Sequence, residues 1–175
     1  MSAKRSTSSN RLQLEDIEAI EILKARYGYY CDDSYNPDGI SSLFVEDGVW
    51  DGGQFGRYEG RQAIHGFFRD LARDRIGFAM HLFMNPLIEV SADTAKGHWY
   101  LLRPLTLHEG NQATWCAGRY FEEYVKVDSE WKYKLLRFTP YFITPFDKGW
   151  AEKKFLTRSY LIIRFYQSRI SRNRR

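Results

Sequence analysis

The chain has 175 residues, of which 43% are hydrophobic and 17% aromatic, and this size and composition suit one domain with a sizeable core. Its formal net charge is +4, but residues 158–175 hold six arginines and no acid, so the rest is near neutral and the basic balance says little about the partners of the core. Two cysteines are too few for a disulfide framework, and no run of residues is long and apolar enough to span a bilayer.

The sequence divides into three parts by composition. Residues 1–12 are rich in serine and charge, lack the apolar core of a signal peptide and are predicted to be disordered. Residues 13–150 carry apolar periodicity without an internal repeat or a linker, which predicts a single domain. Residues 151–175 form the basic C-terminal tail and are predicted to be helical.

A long amphipathic helix is predicted to organise the domain, because apolar residues recur at the helical period from residue 17 onward. The residues on this stripe are Ile17, Ile20, Leu23, Tyr27 and Tyr30. Asp32 and Asp33 follow, and then a turn cluster at residues 36–39. A carboxylate and a phenol at the end of a buried helix could act as a general base and a hydrogen-bond donor in a pocket. The structural alternative is that the tyrosines are plain core residues and the acids are solvated.

Shorter elements follow this helix. Residues 39–48 are predicted to form a short helix with Ile40, Leu43 and Phe44 facing inward. Residues 49–51 read as a short strand that ends at a glycine turn and pairs with a return strand at residues 55–58. A second amphipathic helix is predicted at 61–74. Its apolar face consists of Ile64, Phe67, Phe68 and Leu71.

The second half of the chain reads as strands separated by turns. The predicted strands cover residues 80–90, 96–107, 113–127 and 131–143. Alternation along the second of them places Trp99, Leu101 and Arg103 on one face. Helices followed by a long meander predict an α+β fold, in which a strongly curved, mostly antiparallel sheet forms a cone-shaped barrel with the N-terminal helices over its concave face. Such a cone has an apolar interior with room for a small ligand.

Histidine is the side chain best suited to proton transfer near neutral pH, and the sequence has four. His81 lies on a predicted strand, and Asp32 is the candidate carboxylate that would orient its ring. The structural alternative is a hydrogen-bonded core histidine, which is the commoner role of a lone histidine in a strand. The histidines and the two cysteines are too scattered to match metal-ligand spacing, so no metal site is predicted.

Two arginines, Arg103 and Arg137, interrupt otherwise apolar strands. A buried guanidinium needs an anion, which the protein or a substrate can supply. The alternative is that either side chain extends to the rim and keeps its charge in water. The sequence lacks a glycine-rich phosphate loop, a GxSxG nucleophile motif and a CxxC pair, so these three chemistries have no support.

Six segments within residues 14–150 carry a family resemblance by their order and spacing. They are IEAIEILKARYGYYCDD, YEGRQAIHGFF, MHLFMNPLIEV, KGHWYLL, AGRYFEEYVKVDSEWKY and YFITPFDKGW. Together they resemble the SnoaL-like proteins of the nuclear transport factor two-like superfamily. Within it they look most like the branch that holds scytalone dehydratase, bile-acid 7α-dehydratase and hexachlorocyclohexane dehydrochlorinase. The resemblance implies a cone-shaped α+β barrel with a solvent-poor pocket and no metal or organic cofactor.

The resemblance also implies functional residues. In these enzymes an Asp five residues after a Tyr or Lys on the first helix pairs with a strand His that removes a proton. Tyr27 and Asp32 keep this spacing, and His81 occupies the strand position. The dehydrochlorinase also has an Arg on its last strand, which Arg137 matches with an offset of one residue. Where the bile-acid enzyme has an Asp, this chain has Arg103, so the substrate and the leaving group stay open.

The predicted function is a cofactor-independent lyase of the dehydratase type, or an isomerase, acting on a hydrophobic small molecule. His81 would be the general base and Asp32 its orienting partner, with Asp33 as the alternative acid. Tyr27 would donate a hydrogen bond to the leaving oxygen, and Arg137 would stabilise developing negative charge. Candidate substrate-binding residues are Tyr30, Trp50, Trp99, Leu101, Arg103 and Tyr141. The alternatives within the same fold are a non-catalytic carrier of small hydrophobic ligands and a partner-binding subunit.

The expected setting is cytoplasmic, and the expected assembly is a homo-oligomer, trimer or dimer, because an open curved sheet leaves an apolar outer face to cover. The basic tail has an apolar stripe, and we expect it to pack on its own domain or on a neighbouring subunit. The stripe consists of Leu156, Tyr160, Ile163 and Ile170. The two alternatives are a helix that lies on an anionic membrane and an arginine contact to nucleic acid. Because packing is the preferred interpretation, neither a membrane nor a nucleic acid is a predicted partner.

Overall fold

The computed structural model describes residues 2–156. Within this part of the chain the helices are α1 (Ser2–Asp32), α2 (Pro37–Ser42), α3 (Arg61–Asp74) and α4 (Gly149–Glu152). The strands are β1 (Phe44–Asp51), β2 (Arg57–Glu59), β3 (Ile76–Ala79), β4 (Leu82–Ser91), β5 (Thr94–Leu107), β6 (Gln112–Val127) and β7 (Glu130–Pro145). Short 3-10 turns lie at Gly53–Phe55 and Glu109–Asn111.

One seven-stranded sheet carries the fold, with the strand order β2-β1-β7-β6-β5-β3 and with β4 also paired to β5. The pairing of β1 with β7 is parallel and all the other pairings are antiparallel. The sheet curls into a cone, and the helices cover its concave face, as the sequence predicted. The core lies between them, because the inward side chains of β5, β6 and β7 alternate with outward ones at the strand period of two.

Helix α1 supplies the other half of this core. Ile20, Leu23, Tyr27 and Cys31 are buried at helical spacing, while Tyr30 is only half-buried. The helix begins at Ser2, within the stretch that the sequence assigned to a disordered segment of residues 1–12. The expectation of disorder came from the serine and charge content of this stretch, which contains no glycine or proline that would end a helix.

Two bulges in β7 decide which side chains face the core. Between β6 and β7 the register shifts so that Tyr124 pairs with Tyr133, but Glu123 pairs with Leu135, which leaves an extra residue in β7. Without the shift the alternation from Tyr133 would bring Arg137 to the inner face. With it Leu136 and Phe138 are buried instead, because a slip of one residue reverses the faces.

The second bulge lies near the end of the same strand. Gly118 pairs with Pro140 and Ala117 pairs with Phe142, so Tyr141 is the extra residue and is exposed. Arg137 and Tyr141 therefore both lie on the outer face of the sheet.

Part of the predicted C-terminal helix falls within the described residues. Among those that follow β7, Gly149–Glu152 is helical, and residues 153–156 then run beside the end of β7. The rest of the predicted helix lies outside the described residues. Ile143 donates to the carbonyl of Lys154 at 2.9 Å, and Leu156 donates to the carbonyl of Ile143 at 2.9 Å. Leu156 is buried there. Of the apolar stripe predicted in the tail, Tyr160, Ile163 and Ile170 lie outside the described residues.

A buried polar network ties α1 to the sheet. Lys24 and Glu122 form an ion pair whose side chains are 1% and 0% exposed. Glu122 also accepts from the hydroxyl of Tyr124, which in turn accepts from Nε1 of Trp99 at 3.1 Å. The ammonium of Lys24 lies 3.6 Å from the ring centroid of Tyr120. Paired charges in a water-free interior hold their partners in one arrangement, so this network fixes the depth at which α1 sits on β6.

No helix in the described part of the chain has the length and apolar character needed to cross a membrane.

Candidate active site

The centre of the candidate site is a break between two strands. β3 ends at Ala79 and β4 begins at Leu82, so His81 lies outside the ladder and its backbone N–H has no strand partner. Asp32, at the last turn of α1, takes this donor: the amide nitrogen of His81 lies 3.0 Å from Oδ1 and 3.2 Å from Oδ2. The end of a helix and the break of a strand are thereby joined by one carboxylate.

The same carboxylate contacts the imidazole ring. Nδ1 of His81 lies 2.7 Å from Oδ1 of Asp32, within the distance of about 3.2 Å expected for a working pair. A carboxylate oxygen accepts hydrogen bonds, so we assign the ring proton to Nδ1 and leave the lone pair on Nε2. The His81 side chain is 2% exposed and that of Asp32 is 35% exposed. The contact predicted from the sequence is therefore present, with the base buried and its partner near the surface.

The turn after α1 brings a residue to the site that the sequence patterns did not single out. Ser34 and Tyr35 adopt positive φ angles of 52° and 53°, a conformation that reverses the chain within two residues. Asn36 then caps α2 by accepting from the amide of Gly39 at 2.9 Å. The reversal buries Tyr35, whose ring meets the His81 ring edge-on at a centroid distance of 5.7 Å.

Two small compartments open beside this pair, each with a volume of about 60 Å³. The first contains His81 and is lined mainly by aromatic rings. Its lining residues are Tyr27, Tyr35, Trp50, Phe55, Phe67, Phe68, Leu71, Ile76, His81, Arg103, Tyr120 and Phe138. The second is mostly aliphatic. Its lining residues are Phe55, Phe67, Leu71, Arg75, Ile76, Arg103, Leu105, Leu107, Ile143 and Leu156. Because five residues line both, the compartments adjoin each other.

A wider groove of about 1180 Å³ lies along the β4–β5 and β6–β7 hairpins and the start of β1. Its lining includes many charged side chains, but neither His81 nor Arg103. The candidate catalytic residues therefore line the smaller aromatic compartment and not this groove.

Burial sets the protonation state of His81. The pKa of this imidazole is lowered to about 4. Removal from water is the largest cause and the charge of Arg103 acts in the same direction, while the contact with Asp32 opposes them. A base with this pKa is neutral at pH 7, so Nε2 can accept a proton without first losing one.

We predict a pH effect on stability from the same shift. In the unfolded chain His81 has a pKa of 6.5 and binds a proton below that pH, whereas in the folded protein its ring stays neutral until about pH 4. The contribution to folding stability is therefore complete above pH 6.5 and is lost as the pH falls towards 4, by about 3 kcal/mol in total. Urea unfolding between pH 4 and 8 should show this loss, and His81→Gln should remove it. His65→Gln, at a half-exposed histidine on α3, should leave the profile unchanged; a His81 resonance that titrates near 6.5 by NMR would contradict the prediction.

Arg103 is the charged group closest to Nε2 of His81. Its Nη1 lies 3.5 Å from that nitrogen and donates to the hydroxyl of Tyr35 at 3.1 Å. Its Nε is buried and has no hydrogen-bond partner in the described part of the chain. Arg103 thus belongs to the site, on the inner face that strand alternation predicted for it.

Tyr27 forms another wall of the aromatic compartment. Its hydroxyl accepts from Nε1 of Trp50 at 3.1 Å, and it contacts the thiol of Cys31. Burial raises its pKa well above 10, so the phenol stays protonated and is suited to donate a hydrogen bond.

The remaining predicted site residues lie elsewhere. Arg137 is on the outer face, where its Nε pairs with Oδ2 of Asp51 at 3.1 Å, so the expectation that it enters the pocket is wrong. Tyr141, also outside, lies beside Tyr100 with the two rings tilted and their centroids 6.2 Å apart, and its predicted place in the pocket is wrong as well. Both errors follow from the two bulges in β7.

Three further candidates do not line either compartment. Trp99 and Leu101 are buried on the inner face, but Trp99 belongs to the polar network around Glu122. Tyr30 packs beside Gly39, where a Cβ atom would lie 2.6 Å from the ring. Asp33, the alternative acid, is exposed and accepts from Nδ2 of Asn36 at 3.4 Å, away from His81.

The comparison with protein families decides the membership of this chain, because the SnoaL-like domain matches residues 12–137. The chain belongs to the SnoaL-like family. No curated protein sequence matches it significantly. The matched range begins in α1 and ends in β7, and so contains His81, Asp32 and both compartments' central residues.

Solved structures similar to this SnoaL-like chain include hexachlorocyclohexane dehydrochlorinases. The hexachlorocyclohexane dehydrochlorinase LinA matches with a TM-score of 0.74 and 25% identity, over 78% of this chain and 93% of that chain. LinA type 3 from Novosphingobium barchaimii matches with a TM-score of 0.70 and 27% identity, over 76% of this chain and 91% of that chain. A candidate scytalone dehydratase from Novosphingobium aromaticivorans matches with a TM-score of 0.72 and 25% identity, over 78% and 91% respectively.

Proposed function

We propose that this SnoaL-like domain is a cofactor-independent lyase of the dehydratase type, or an isomerase, acting on a hydrophobic small molecule. The observation that carries the proposal is the 2.7 Å contact between Nδ1 of His81 and Asp32, beside a compartment walled by aromatic rings. A neutral imidazole oriented by a carboxylate is a general base, and apolar walls keep water away from the reacting carbon. The similarity to LinA and to a candidate scytalone dehydratase supports the same class.

The proposed step is a proton transfer followed by departure of the leaving group. Nε2 of His81 takes a proton from a carbon of the substrate, and the electrons of that C–H bond form a new double bond. The leaving group departs from the adjacent carbon with its bonding pair and, as hydroxide, gains the proton of the imidazolium while Tyr27 donates a hydrogen bond to it. In an isomerase the imidazolium returns the same proton to a different carbon. Asp32 stabilises the imidazolium in both cases.

A direct screen tests this proposal. Small cyclic alcohols and ketones with an acidic C–H next to the leaving group are incubated with the purified chain, and unsaturated or isomerised products are measured by absorbance and mass spectrometry. We expect turnover of at least one compound, unchanged by EDTA. Binding without turnover across the panel would contradict the lyase and isomerase assignments.

A non-catalytic carrier of small hydrophobic ligands is the second candidate. The aromatic lining of the compartment beside His81 favours it, because an apolar pocket can hold a hydrophobic ligand whether or not His81 and Asp32 act on that ligand. A carrier does not need the lone pair of His81. In a carrier, His81→Gln would leave ligand affinity unchanged and no compound would be turned over.

We also propose that the chain forms a homo-oligomer. Leu82, Met84 and Tyr100 are exposed on neighbouring strands of the outer face, with Tyr141 beside Tyr100. Such a contiguous apolar surface is typical of an interface. Light scattering after gel filtration should give a multiple of the 20.7 kDa chain mass, and Met84→Lys should shift the mass towards the monomer. A wild-type mass of one chain at micromolar concentration would refute this proposal.

A further inference from the structure

Arg103 presents a charge that the protein itself does not balance. Its polar neighbours are the hydroxyl of Tyr35, Nε2 of His81 and the thiol of Cys116. Among the described residues no hydrogen bond or ion pair joins Arg103 to a carboxylate, and its buried Nε has no partner. Asp32, the carboxylate of the site, contacts the opposite nitrogen of the His81 ring.

The neighbours of Arg103 are neutral at pH 7. Burial raises the pKa of Tyr35 and of Cys116 and lowers the pKa of His81 to about 4. A guanidinium partly removed from water beside neutral groups alone is costly, and a bound anion would offset that cost. The contrast with Lys24 is informative, since that buried cation has its own carboxylate in Glu122.

The position of Arg103 also suits recognition of a substrate. It lines both compartments, so it lies where the aromatic space around His81 meets the aliphatic space that Leu105, Leu107 and Leu156 enclose. A molecule with an apolar body in one compartment can therefore bring a polar group to the guanidinium. An anion that takes Nη1 would also remove its contact with Nε2 of His81 and leave that lone pair free.

We infer that the substrate is a small hydrophobic carboxylate whose anionic group binds Arg103, with its apolar body in the two compartments. This inference rests on the proposed function in so far as it calls the ligand a substrate, but the binding that it describes does not require turnover. Arg103 is then the residue that determines specificity, and it couples occupation of the site to release of the base. The carboxylate is a recognition group and takes no part in the bond changes at the reacting carbon.

Calorimetric titration with matched pairs of probes tests the inference at pH 7.5. Each pair consists of a carboxylate and its neutral amide, such as cyclohexanecarboxylate with cyclohexanecarboxamide, in a series of increasing apolar size. We expect the wild-type chain to prefer the carboxylate by about tenfold or more in the pairs that fit, the size of one charge-assisted bidentate contact. The absence of a carboxylate preference in every pair would overturn the inference without any variant.

Variants separate this role from the fold and from catalysis. Arg103→Gln should abolish the carboxylate preference and Arg103→Lys should keep part of it, with folding checked by thermal unfolding. Arg137→Gln, at the exposed arginine paired with Asp51, is the matched control and should keep the preference. His81→Gln should also keep it, so failure of the lyase proposal can be told apart from failure of anion binding. Retention of the full preference in Arg103→Gln would overturn the inference.

Discussion

His81→Gln is expected to lower kcat by about 10²–10⁴-fold, the usual contribution of a general base. Asp32→Asn should lower kcat too, because an amide can no longer compensate the charge on the imidazolium and can donate to the wrong ring nitrogen. The contact between Nδ1 of His81 and Asp32 is 2.7 Å and the ring is buried, so the packing around it holds the imidazole in place, and either substitution removes one partner of a well-ordered pair. Initial rates on a compound found by the screen provide the measurement.

Asp33 and His65 serve as matched controls for Asp32 and His81. Asp33 is the next residue along the chain, but it is exposed and contacts Asn36. His65, on α3, pairs with Asp38 of α2 at 3.1 Å and does not line either compartment. Asp33→Asn and His65→Gln should keep nearly full activity. Equal losses in Asp32→Asn and Asp33→Asn would contradict a specific role for the pair.

Glu122→Gln should produce the largest loss of stability, about 3–5 kcal/mol, because it leaves the ammonium of Lys24 buried without a counter-charge. Desolvation already lowers the pKa of Lys24, and Glu122 is the main group that opposes this effect. The cation–π contacts with Tyr120 and Phe83 are too weak to replace it. Urea unfolding at pH 7 measures the change.

The control for this loss is a salt bridge at the surface. Arg57 and Glu59 pair at 2.8 Å with side chains 47% and 67% exposed, so Glu59→Gln should change stability by about 1 kcal/mol or less. Replacing both partners of the buried pair, Lys24→Met with Glu122→Leu, should restore part of the loss, because no charge is then left unpaired. A loss in Glu122→Gln as small as in Glu59→Gln would show that the pair is not desolvated.

The pairing of His81 with Asp32 could be predicted because the family resemblance implies it, through the spacing of Tyr27 and Asp32 and the strand position of His81. The helical period places Asp32 at the end of α1 and the strand pattern places His81 beside β4, but neither pattern alone shows that the two residues meet. Strand alternation likewise brought Arg103 to the inner face. The placement of Arg103 needs only the strand period and no knowledge of the pairing register.

The errors arose where the register breaks. Arg137 follows the extra residue of the first bulge in β7, and Tyr141 is the extra residue of the second. A bulge is set by the pairing with β6, which alternation within one strand does not reveal. Tyr35 was missed because its position depends on two consecutive residues with positive φ. The Lys24–Glu122 pair had a weak signal in the sequence, since Lys24 lies at helical spacing from Ile20 and Tyr27, and Glu122 shares strand parity with Tyr120.

The central claim, that His81 removes a proton from carbon with Asp32 as its partner, is tested most directly by proton exchange in heavy water. The same panel of compounds is followed by ¹H NMR in D₂O with the wild-type chain, His81→Gln and the His65→Gln control. We expect the wild type and the control to replace an acidic C–H by C–D, or to eliminate the adjacent group, at rates that His81→Gln lowers by about 10²-fold or more. Exchange at the wild-type rate in His81→Gln would contradict the claim.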